Sequence, residues 1–223
     1  MSDYFIGLDL GFSTDFSAIS IIERRYEREY EYFEEFEKPH FDLTYLERFQ
    51  IPYPEISQKI KVLFEDPRLR QTGELVVDAT GVGLPIVQML EGEGINPRAI
   101  TIHGGEEATE TKDGFRVPKK QIVSVLVAAL QSARLKIAEK LEYASVFLEE
   151  LQNFSYKIDR KTGHESYESM KEAVHDDLVI AAGIALWYAA RDGLNRRKII
   201  ADRGGVRHYE PGPLLPIGTN FRR

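Results

Sequence analysis

The sequence contains no cysteine among its 223 residues. Disulfide bonds and thiolate metal sites are therefore excluded, and the composition fits a reducing compartment. The sequence also lacks any run of about eighteen uncharged apolar residues, which is the length that a membrane-spanning helix requires. Its first residues do not form a basic region followed by an apolar stretch, as a secretory signal would. Together these absences predict a cytosolic chain that does not associate with a membrane.

The composition predicts one globular domain with an appended tail. Hydrophobic residues make up 43% and aromatic residues 11% of the sequence, and 223 residues suffice for one sizeable core. The formal net charge is −7, yet residues 193–223 carry seven Lys or Arg and only two acidic residues. We therefore predict a domain over residues 1–192 and a basic, Gly- and Pro-containing tail over residues 193–223, extended or disordered in isolation. Such a local basic stripe can still bind a polyanion.

The pattern of apolar residues predicts strands first and helices later. Residues 3–9 and 16–22 read as the two strands of a hairpin, and residues 25–36 as a third, edge strand. A parallel crossover unit follows, with helix 54–64, a strand ending at Asp78, helix 84–90 and strand 98–103. The remaining segments are predicted to be helices 118–130, 143–153 and 175–191, with a polar hairpin over 154–168. This order predicts an α/β fold with a mixed central sheet and helices on both faces.

Acidic residues occupy three positions that are typical of metal ligands. Asp9 ends the first strand, Asp78 ends the fourth, and Asp176-Asp177 precede the last helix. Neighbouring strands would bring Asp9 and Asp78 within a few ångströms of each other, where two anions repel. A divalent cation would offset that repulsion, and Mg²⁺ and Mn²⁺ prefer oxygen ligands. Each acid alone has a structural alternative, because Asp is common in turns and at helix starts.

Two further residues near these acids leave two interpretations open. Asp15 lies six residues beyond Asp9, across the hairpin turn, and can either reach the site or stabilise the turn. His175 can accept a proton or orient a water, or it can simply cap or pack against the helix start. Four glycines near the acids would let a large ligand approach the backbone closely; they are Gly7, Gly11, Gly81 and Gly83.

Basic residues in the segments that flank the acidic positions are candidates for binding nucleic-acid phosphates. Each group alone would ordinarily be a solvated surface, and its placement beside the acidic positions favours the binding role. The first group surrounds the start of the third predicted helix, and the second lies in the polar hairpin. Their members are Lys112, Arg116, Lys119 and Lys120 in the first group, and Lys157, Arg160 and Lys161 in the second.

Four segments of the sequence, in this order, resemble the nuclease domain of tailed-phage large terminase subunits, within the RNase H-like superfamily. They are FIGLDLGFSTDFSA (5–18), VVDATGVG (76–83), FRVPKK (115–120) and HDD (175–177), and the resemblance covers about residues 4–191. It implies a metal-dependent endonuclease that cuts concatemeric viral DNA during genome packaging. Two Mg²⁺ or Mn²⁺ ions would share Asp9, with Asp78 on one ion and Asp176 on the other. Asp177 would be a second ligand or bind through water.

The chain departs from a complete terminase because it contains no Gly-x-x-x-x-Gly-Lys-Ser/Thr phosphate loop. The packaging ATPase would then be a separate domain or chain, and the resemblance also implies double-stranded DNA, a portal and a small terminase as partners. If a phage encodes the protein, it acts in the host cytoplasm. Three alternatives stay open: a Holliday-junction resolvase-like nuclease, an actin-like or sugar-kinase-like ATPase lobe, and a non-catalytic DNA-binding module. The ATPase alternative requires a longer chain with two lobes.

Overall fold

The computed structural model describes residues 3–11, 15–31, 34–81, 83–138, 140–158, 165–169 and 175–204. Eight strands form the main sheet: β1 (Asp3–Asp9), β2 (Ser17–Glu31), β3 (Glu34–Phe49), β4 (Gly73–Asp78), β5 (Arg98–His103), β6 (Thr109–Thr111), β7 (Gly114–Pro118) and β8 (Leu135–Ile137). Two more, β9 (Phe154–Ile158) and β10 (Glu165–Ser169), pair as a separate antiparallel hairpin. The helices are α1 (Tyr53–Leu63), α2 (Pro67–Thr72), α3 (Gly83–Gly92), α4 (Lys119–Gln131), α5 (Ala144–Asn153) and α6 (Asp177–Gly204).

The main sheet is mixed, with the strand order β6-β7-β5-β4-β1-β2-β3-β8. Strand β1 is antiparallel to β2 and parallel to β4, so it is paired on both edges. In the parallel pair Leu8 aligns with Val77, which places the next residues, Asp9 and Asp78, side by side where both strands end. The sheet therefore brings together two of the three predicted acidic positions.

Alternating residues of β1 pack into cores on opposite faces of the sheet. Phe5 belongs to a buried cluster with residues of α4, α5 and α6, whereas Ile6 and Leu8 pack with residues of α1 and α3 on the other face. This alternation follows from the two-residue period of a strand. Since both faces are covered by helices, the predicted α/β fold with a mixed, doubly covered sheet is confirmed.

Helix α6 lies very close to the backbone of β1. A Cβ atom built on Gly7 would be 1.9 Å from the carbonyl oxygen of Ala181, so only glycine fits at this position. The facing side of α6 is rich in small buried residues, including Ala181, Ala182 and Ala185. Small side chains on both elements allow the helix axis to approach the sheet, and this fixes the start of α6 near the end of β1.

Two sequence predictions about strand and helix limits are wrong. Residues 25–36 are not one edge strand, because β2 continues to Glu31 and β3 begins at Glu34 and lies between β2 and β8. Alternating charged and aromatic residues suit both arms of this hairpin, so the pattern gives no sign of the turn. Helix α6 does not end at residue 191 but continues to Gly204. A single glycine, Gly193, disfavours a helix by only about 1 kcal/mol and does not end it.

Contacts within the chain separate two units, Met1–Ala190 and Arg191–Arg223. The predicted boundary at residue 192 stays a prediction. The predicted turn at Thr162-Gly163 and the tail beyond Gly204 lie outside the described residues. In the part of the chain that the structure describes, no helix has the length and apolar character needed to cross a bilayer.

Candidate functional site

Asp9 lies among several other carboxylates. Burial raises the pKa of Asp9 well above its usual range, and the charges of Asp78, Asp177 and Asp176 raise it further, in that order. A hydrogen bond from the backbone of Leu10 opposes this shift. The pKa of one carboxyl responds to another only when the two charges are near each other in a medium that screens them poorly. The structure thus brings all four acids of the three predicted positions into one neighbourhood, which we call the acidic cluster.

The Asp78 carboxylate is held by the turn that follows β4. Its Oδ1 accepts a hydrogen bond of 2.8 Å from the backbone N–H of Thr80, whose own hydroxyl accepts one of 2.7 Å from Ile102. Burial raises the pKa of Asp78, and the hydrogen bonds from Thr80 and the charge of Lys119 oppose the shift. Gly81 has a φ of +65°, a conformation that glycine adopts without strain. The turn fixes the carboxylate at the sheet edge.

Asp176 and Asp177 lie at the start of α6. The carbonyl of Asp176 accepts the first intrahelical bond, 2.9 Å from the N–H of Ile180, which makes Asp176 the N-cap residue. Burial raises the pKa of Asp177 to about 6, the charge of His175 opposes the shift, and that of Asp176 reinforces it. Among the described residues, the buried Oδ2 of Asp177 has no hydrogen-bond partner. The charges of both Asp177 and Asp176 raise the pKa of Asp9, so both residues belong to the acidic cluster.

Lys119 lies inside the acidic cluster. Its Nζ donates a hydrogen bond of 2.7 Å to Oδ2 of Asp176 and lies 5.3 Å from the centre of the Phe154 ring. It is the first residue of α4, directly after β7, and it partly neutralises Asp176 and Asp78. From the sequence we assigned Lys119 to phosphate binding and did not foresee this ion pair.

The other basic candidates are placed differently. Lys112 is exposed in the turn between β6 and β7, and Arg116 is exposed on β7. Lys120 forms an ion pair with Glu106. Lys157 belongs to β9, whereas Arg160 and Lys161 lie outside the described residues. Their predicted binding of phosphates stays a prediction.

His175 and Asp15 both lie near Asp177. The Nδ1 of His175 is 3.8 Å from Oδ2 of Asp177, and its ring packs edge-on against Phe16 with centroids 5.3 Å apart. Asp15 is exposed, and its charge contributes to the raised pKa of Asp177. Both residues therefore border the cluster, and neither has a described hydrogen bond that assigns it a role there.

A buried glutamate that we did not identify from the sequence supports the start of α6. Glu150, on α5, is 3% exposed, and its Oε2 accepts hydrogen bonds from the N–H groups of Leu178 (3.0 Å) and Val179 (3.2 Å). Its Oε1 accepts one of 3.2 Å from Nη1 of Arg48. Burial raises the pKa of Glu150 to about 7, and the hydrogen bond from Val179 opposes the shift. One sequence signal was available, because Glu150 lies three residues after the buried Phe147 and so shares its helix face.

The acidic cluster has the chemistry of a divalent-cation site, although no group of three or more His, Asp or Glu among the described residues is positioned to hold a metal ion. All its donor atoms are carboxylate oxygens, which hard cations such as Mg²⁺ and Mn²⁺ prefer. Burial disfavours the charged forms of Asp9, Asp78 and Asp177, and one buried oxygen of Asp177 is left without a described partner. A bound cation would relieve each of these features, so the chemistry of the residues present fits such an ion.

Comparisons with known proteins identify a fold. No family model matches the sequence, and no curated protein matches it. Among solved structures, the chain is similar to the large terminase nuclease from thermophilic phage G20c, with a TM-score of 0.54 and 21% sequence identity. The superposition covers 82% of this chain and 81% of that one. The resemblance inferred from the four sequence segments is thus confirmed in three dimensions, and the chain has the RNase H-like fold of a large terminase nuclease.

Proposed function

We propose that the protein is a divalent-metal-dependent endonuclease that hydrolyses phosphodiester bonds of double-stranded DNA. In its biological setting it would cut concatemeric viral DNA during genome packaging. The observation that carries this proposal is the acidic cluster, in which Asp9 and Asp78 end adjacent strands and the charges of Asp78, Asp176 and Asp177 all act on Asp9. The RNase H-like fold shared with a terminase nuclease supports the same reaction.

The cluster would hold two Mg²⁺ or Mn²⁺ ions through Asp9, Asp78, Asp176 and Asp177. Asp9 is the best candidate for the shared ligand, because the charges of all three other acids act on it. Such ions, when bound, lower the pKa of an attacking water and stabilise negative charge on the leaving oxygen. The protein itself keeps the carboxylates in place: Thr80 holds Asp78, and the close contact of Gly7 with Ala181 holds α6 over β1.

A polyanionic substrate needs positive charge near this acidic edge. Lys112 and Arg116 are exposed on the β6–β7 hairpin, and β7 leads directly into Lys119 at the start of α4. We propose that Lys112, Arg116 and Lys120, with Lys157, Arg160 and Lys161 of the second group, contact DNA phosphates and orient the strand. A packaging ATPase, a portal and a small terminase are the proposed partners of the reaction in a phage-infected cell.

The test is cleavage of supercoiled plasmid by the purified chain with Mg²⁺, Mn²⁺, Ca²⁺ or chelator. We expect nicked and linear products with Mg²⁺ or Mn²⁺ and none with chelator. Asp9→Asn, Asp78→Asn and Asp176→Asn should each abolish cleavage while the fold, followed by circular dichroism, is retained. Asp113→Asn is the matched control, because Asp113 is exposed in the β6–β7 turn. Wild-type cleavage by any one of the three cluster variants would remove that residue from the site.

Two additional substrates separate the alternatives from the proposal. Cutting should be largely indifferent to sequence, and a four-way junction should be cut no faster than linear duplex DNA of equal length. A strong preference for the junction would favour the resolvase alternative. ATP hydrolysis by the pure chain would favour the actin-like ATPase alternative.

A further inference from the structure

The start of α6 uses an unusual cap. An Asp at the N-cap normally turns its carboxylate back to accept the N–H of the second or third helical residue, which contributes about 1 kcal/mol. Asp176 has the N-cap position, so the N–H groups in question belong to Leu178 and Val179. Both of these N–H groups donate instead to Oε2 of Glu150, at 3.0 and 3.2 Å. A residue of α5 thus occupies the place that the side chain of Asp176 would otherwise take.

The Asp176 carboxylate points elsewhere. Its Oδ2 accepts a hydrogen bond of 2.7 Å from Nζ of Lys119, at the start of α4. A carboxylate that capped its own helix would be turned toward the helix N–H groups and would lose its orientation toward α4. The two acids therefore have different contacts at this helix end. Glu150 accepts hydrogen bonds from the backbone N–H groups of α6, and the Asp176 carboxylate accepts one from Lys119 in the acidic cluster.

We propose that Glu150 is a positioning residue that caps α6 in place of Asp176 and thereby keeps the Asp176 carboxylate available as a metal ligand. The second half of this proposal rests on the proposed function, whereas the first half concerns the folded chain alone. Glu150 does not itself complete the metal site, because Oε2 serves the two N–H groups of α6 and Oε1 accepts from Arg48.

Arg48 allows a second acid to be buried next to Asp177. Its Nη1 lies 3.2 Å from Oε1 of Glu150, and its guanidinium stacks over the Phe16 ring, 4.6 Å from the ring centre. The Phe16 ring also touches His175, one residue before Asp176. Glu150 is 3% exposed, and a carboxylate buried to this degree requires a nearby positive charge. Arg48 supplies that charge. The cap is therefore a connected arrangement of β3, α5 and the segment leading into α6.

The first experiment measures the cap in metal-free protein. Thermal unfolding is recorded in chelator for wild type, Glu150→Ala, Asp176→Ala and the double variant. In wild type, Glu150 already caps α6, so Asp176→Ala removes the ion pair with Lys119 and one like charge of the acidic cluster, two opposing effects, and should change Tm little. In the Glu150→Ala chain, Asp176 can turn to cap the helix, so removing it should lower Tm by about 2–4 °C, the shift that removal of a cap produces in a chain of this size. Equal Tm changes in the two backgrounds would overturn the proposal.

The second experiment measures metal binding by titration calorimetry with Mn²⁺. Glu150→Ala should weaken Mn²⁺ binding by roughly 10–100-fold, as expected when a residue that orients a ligand is removed. Glu150→Gln keeps an acceptor for α6 and should bind Mn²⁺ within a few-fold of wild type, which also guards against a Glu150→Ala chain that fails to fold. Glu149→Ala, an exposed neighbour on α5, is the control.

The outcomes separate this proposal from the proposed function. Wild-type Mn²⁺ affinity in a folded Glu150→Ala chain would overturn the role of Glu150 in positioning the ligand. If wild type itself bound no Mn²⁺, the proposed function would fail together with the ligand role, and the thermal cycle in chelator would still decide whether Glu150 caps α6.

Discussion

Asp9 is a residue whose charged form is unfavourable in the metal-free fold. Asp9 is half-buried at the end of β1, and the charges of three other acids act on its carboxylate. Ordinary packing would favour a neutral residue there, because an ionised group that loses water and gains like charges is destabilised. The proposed metal-binding role would account for an acid at this position, and the raised pKa of Asp9 makes the stability of the metal-free chain depend on pH.

We expect Asp9→Asn to stabilise the metal-free protein increasingly as pH rises. The pKa of Asp9 is raised in the folded state, so its favourable contribution is complete below the unfolded pKa near 4 and is lost as pH rises through the folded pKa. Asparagine does not titrate, so the Asp9→Asn chain does not lose stability at this position as pH rises. The Tm difference between Asp9→Asn and wild type, measured in chelator, should therefore be small at pH 4 and larger at pH 8. A difference that shrinks toward pH 8 would contradict the burial of Asp9 among like charges; Asp113→Asn should show no such trend.

Lys119 competes with a divalent cation for the same carboxylate. Lys119→Gln removes a positive charge 2.7 Å from Asp176, so the metal-free chain should lose stability and bind Mn²⁺ more tightly. The gain in affinity should be on the order of tenfold, because a unit charge at short range near a protein surface is worth about 1–4 kcal/mol. Calorimetry without DNA measures the affinity, and Lys120→Gln, whose partner is Glu106, is the control. Weaker Mn²⁺ binding by Lys119→Gln would show that Lys119 supports the site.

At the scale of single residues, the sequence predicted the four acids but not the residues that contact them or support their positions. Asp9 and Asp78 were recognisable because each ends an apolar strand, and a strand end lies at the rim of a sheet. Glu150 and Lys119 acquire their roles from α5 and α4, which reach the cluster only in the folded chain. Glu150 follows an exposed Glu149, and the spacing from Phe147 is the one local signal that distinguishes the buried glutamate from its neighbour.

At the scale of elements, the contact between β1 and α6 determines how close the acids can come. Gly7 lies two residues before Asp9, and Ala181 lies four residues after Asp177. Since a Cβ on Gly7 would be 1.9 Å from a backbone oxygen of α6, no rotation of a side chain can relieve the overlap. Any larger residue must push the helix, and the two acids at its start, away from β1.

We therefore expect Gly7→Ala to lower both stability and metal affinity. Overlap in a packed core typically destabilises by roughly 1–3 kcal/mol, and an overlap with backbone falls at the upper end or beyond. Gly92→Ala is the matched control, because nothing lies within 4 Å of a Cβ at that position. It should be neutral or stabilise the chain by about 0.4–1 kcal/mol. Chemical denaturation of both variants measures the difference, and equal stabilities would contradict the close approach of α6 to β1.

Elements with their own start and stop signals were predicted well, and those without them were not. The predicted positions of α1 and β5 are correct, because Pro54 marks the start of α1 and an apolar run marks β5. The short strands β6 and β7 were missed because three to five residues carry too little pattern to predict a strand. The separate arms of β2 and β3 share one alternation of charged and aromatic residues, so only their pairing reveals the turn.

At the scale of the whole molecule, the sign of the charge differs between the acidic chain as a whole and its basic carboxyl-terminal residues. The chain has a net charge of −7, yet residues 205–223 contain three Arg and one Glu. A chain that ends at Gly204 keeps α6 to its last described residue and every residue of the acidic cluster. The two regions can therefore be tested separately.

We expect deletion of residues 205–223 to weaken DNA binding and to leave Mn²⁺ affinity and cleavage at saturating DNA unchanged. The slope of log affinity against log salt should decrease by up to about three units, one for each of the three Arg that binds a phosphate. Replacing Arg207, Arg222 and Arg223 with Gln in the full chain is the control for length. A truncated chain that binds DNA and Mn²⁺ normally and cannot cut would show that the tail contributes to the site.

The acidic cluster is assembled from residues that lie far apart in the sequence. Asp9 and Asp78 leave the ribosome before Asp176 and Asp177, which follow only after almost a hundred further residues. Folding during synthesis proceeds from the amino terminus, so β1 and β4 can pair long before α6 exists. A partly synthesised chain then carries two of the four acids and has no complete site. The order of synthesis thus sets the earliest moment at which the proposed site can be complete, and an unfinished chain without Asp176 and α6 would lack two of its four acids.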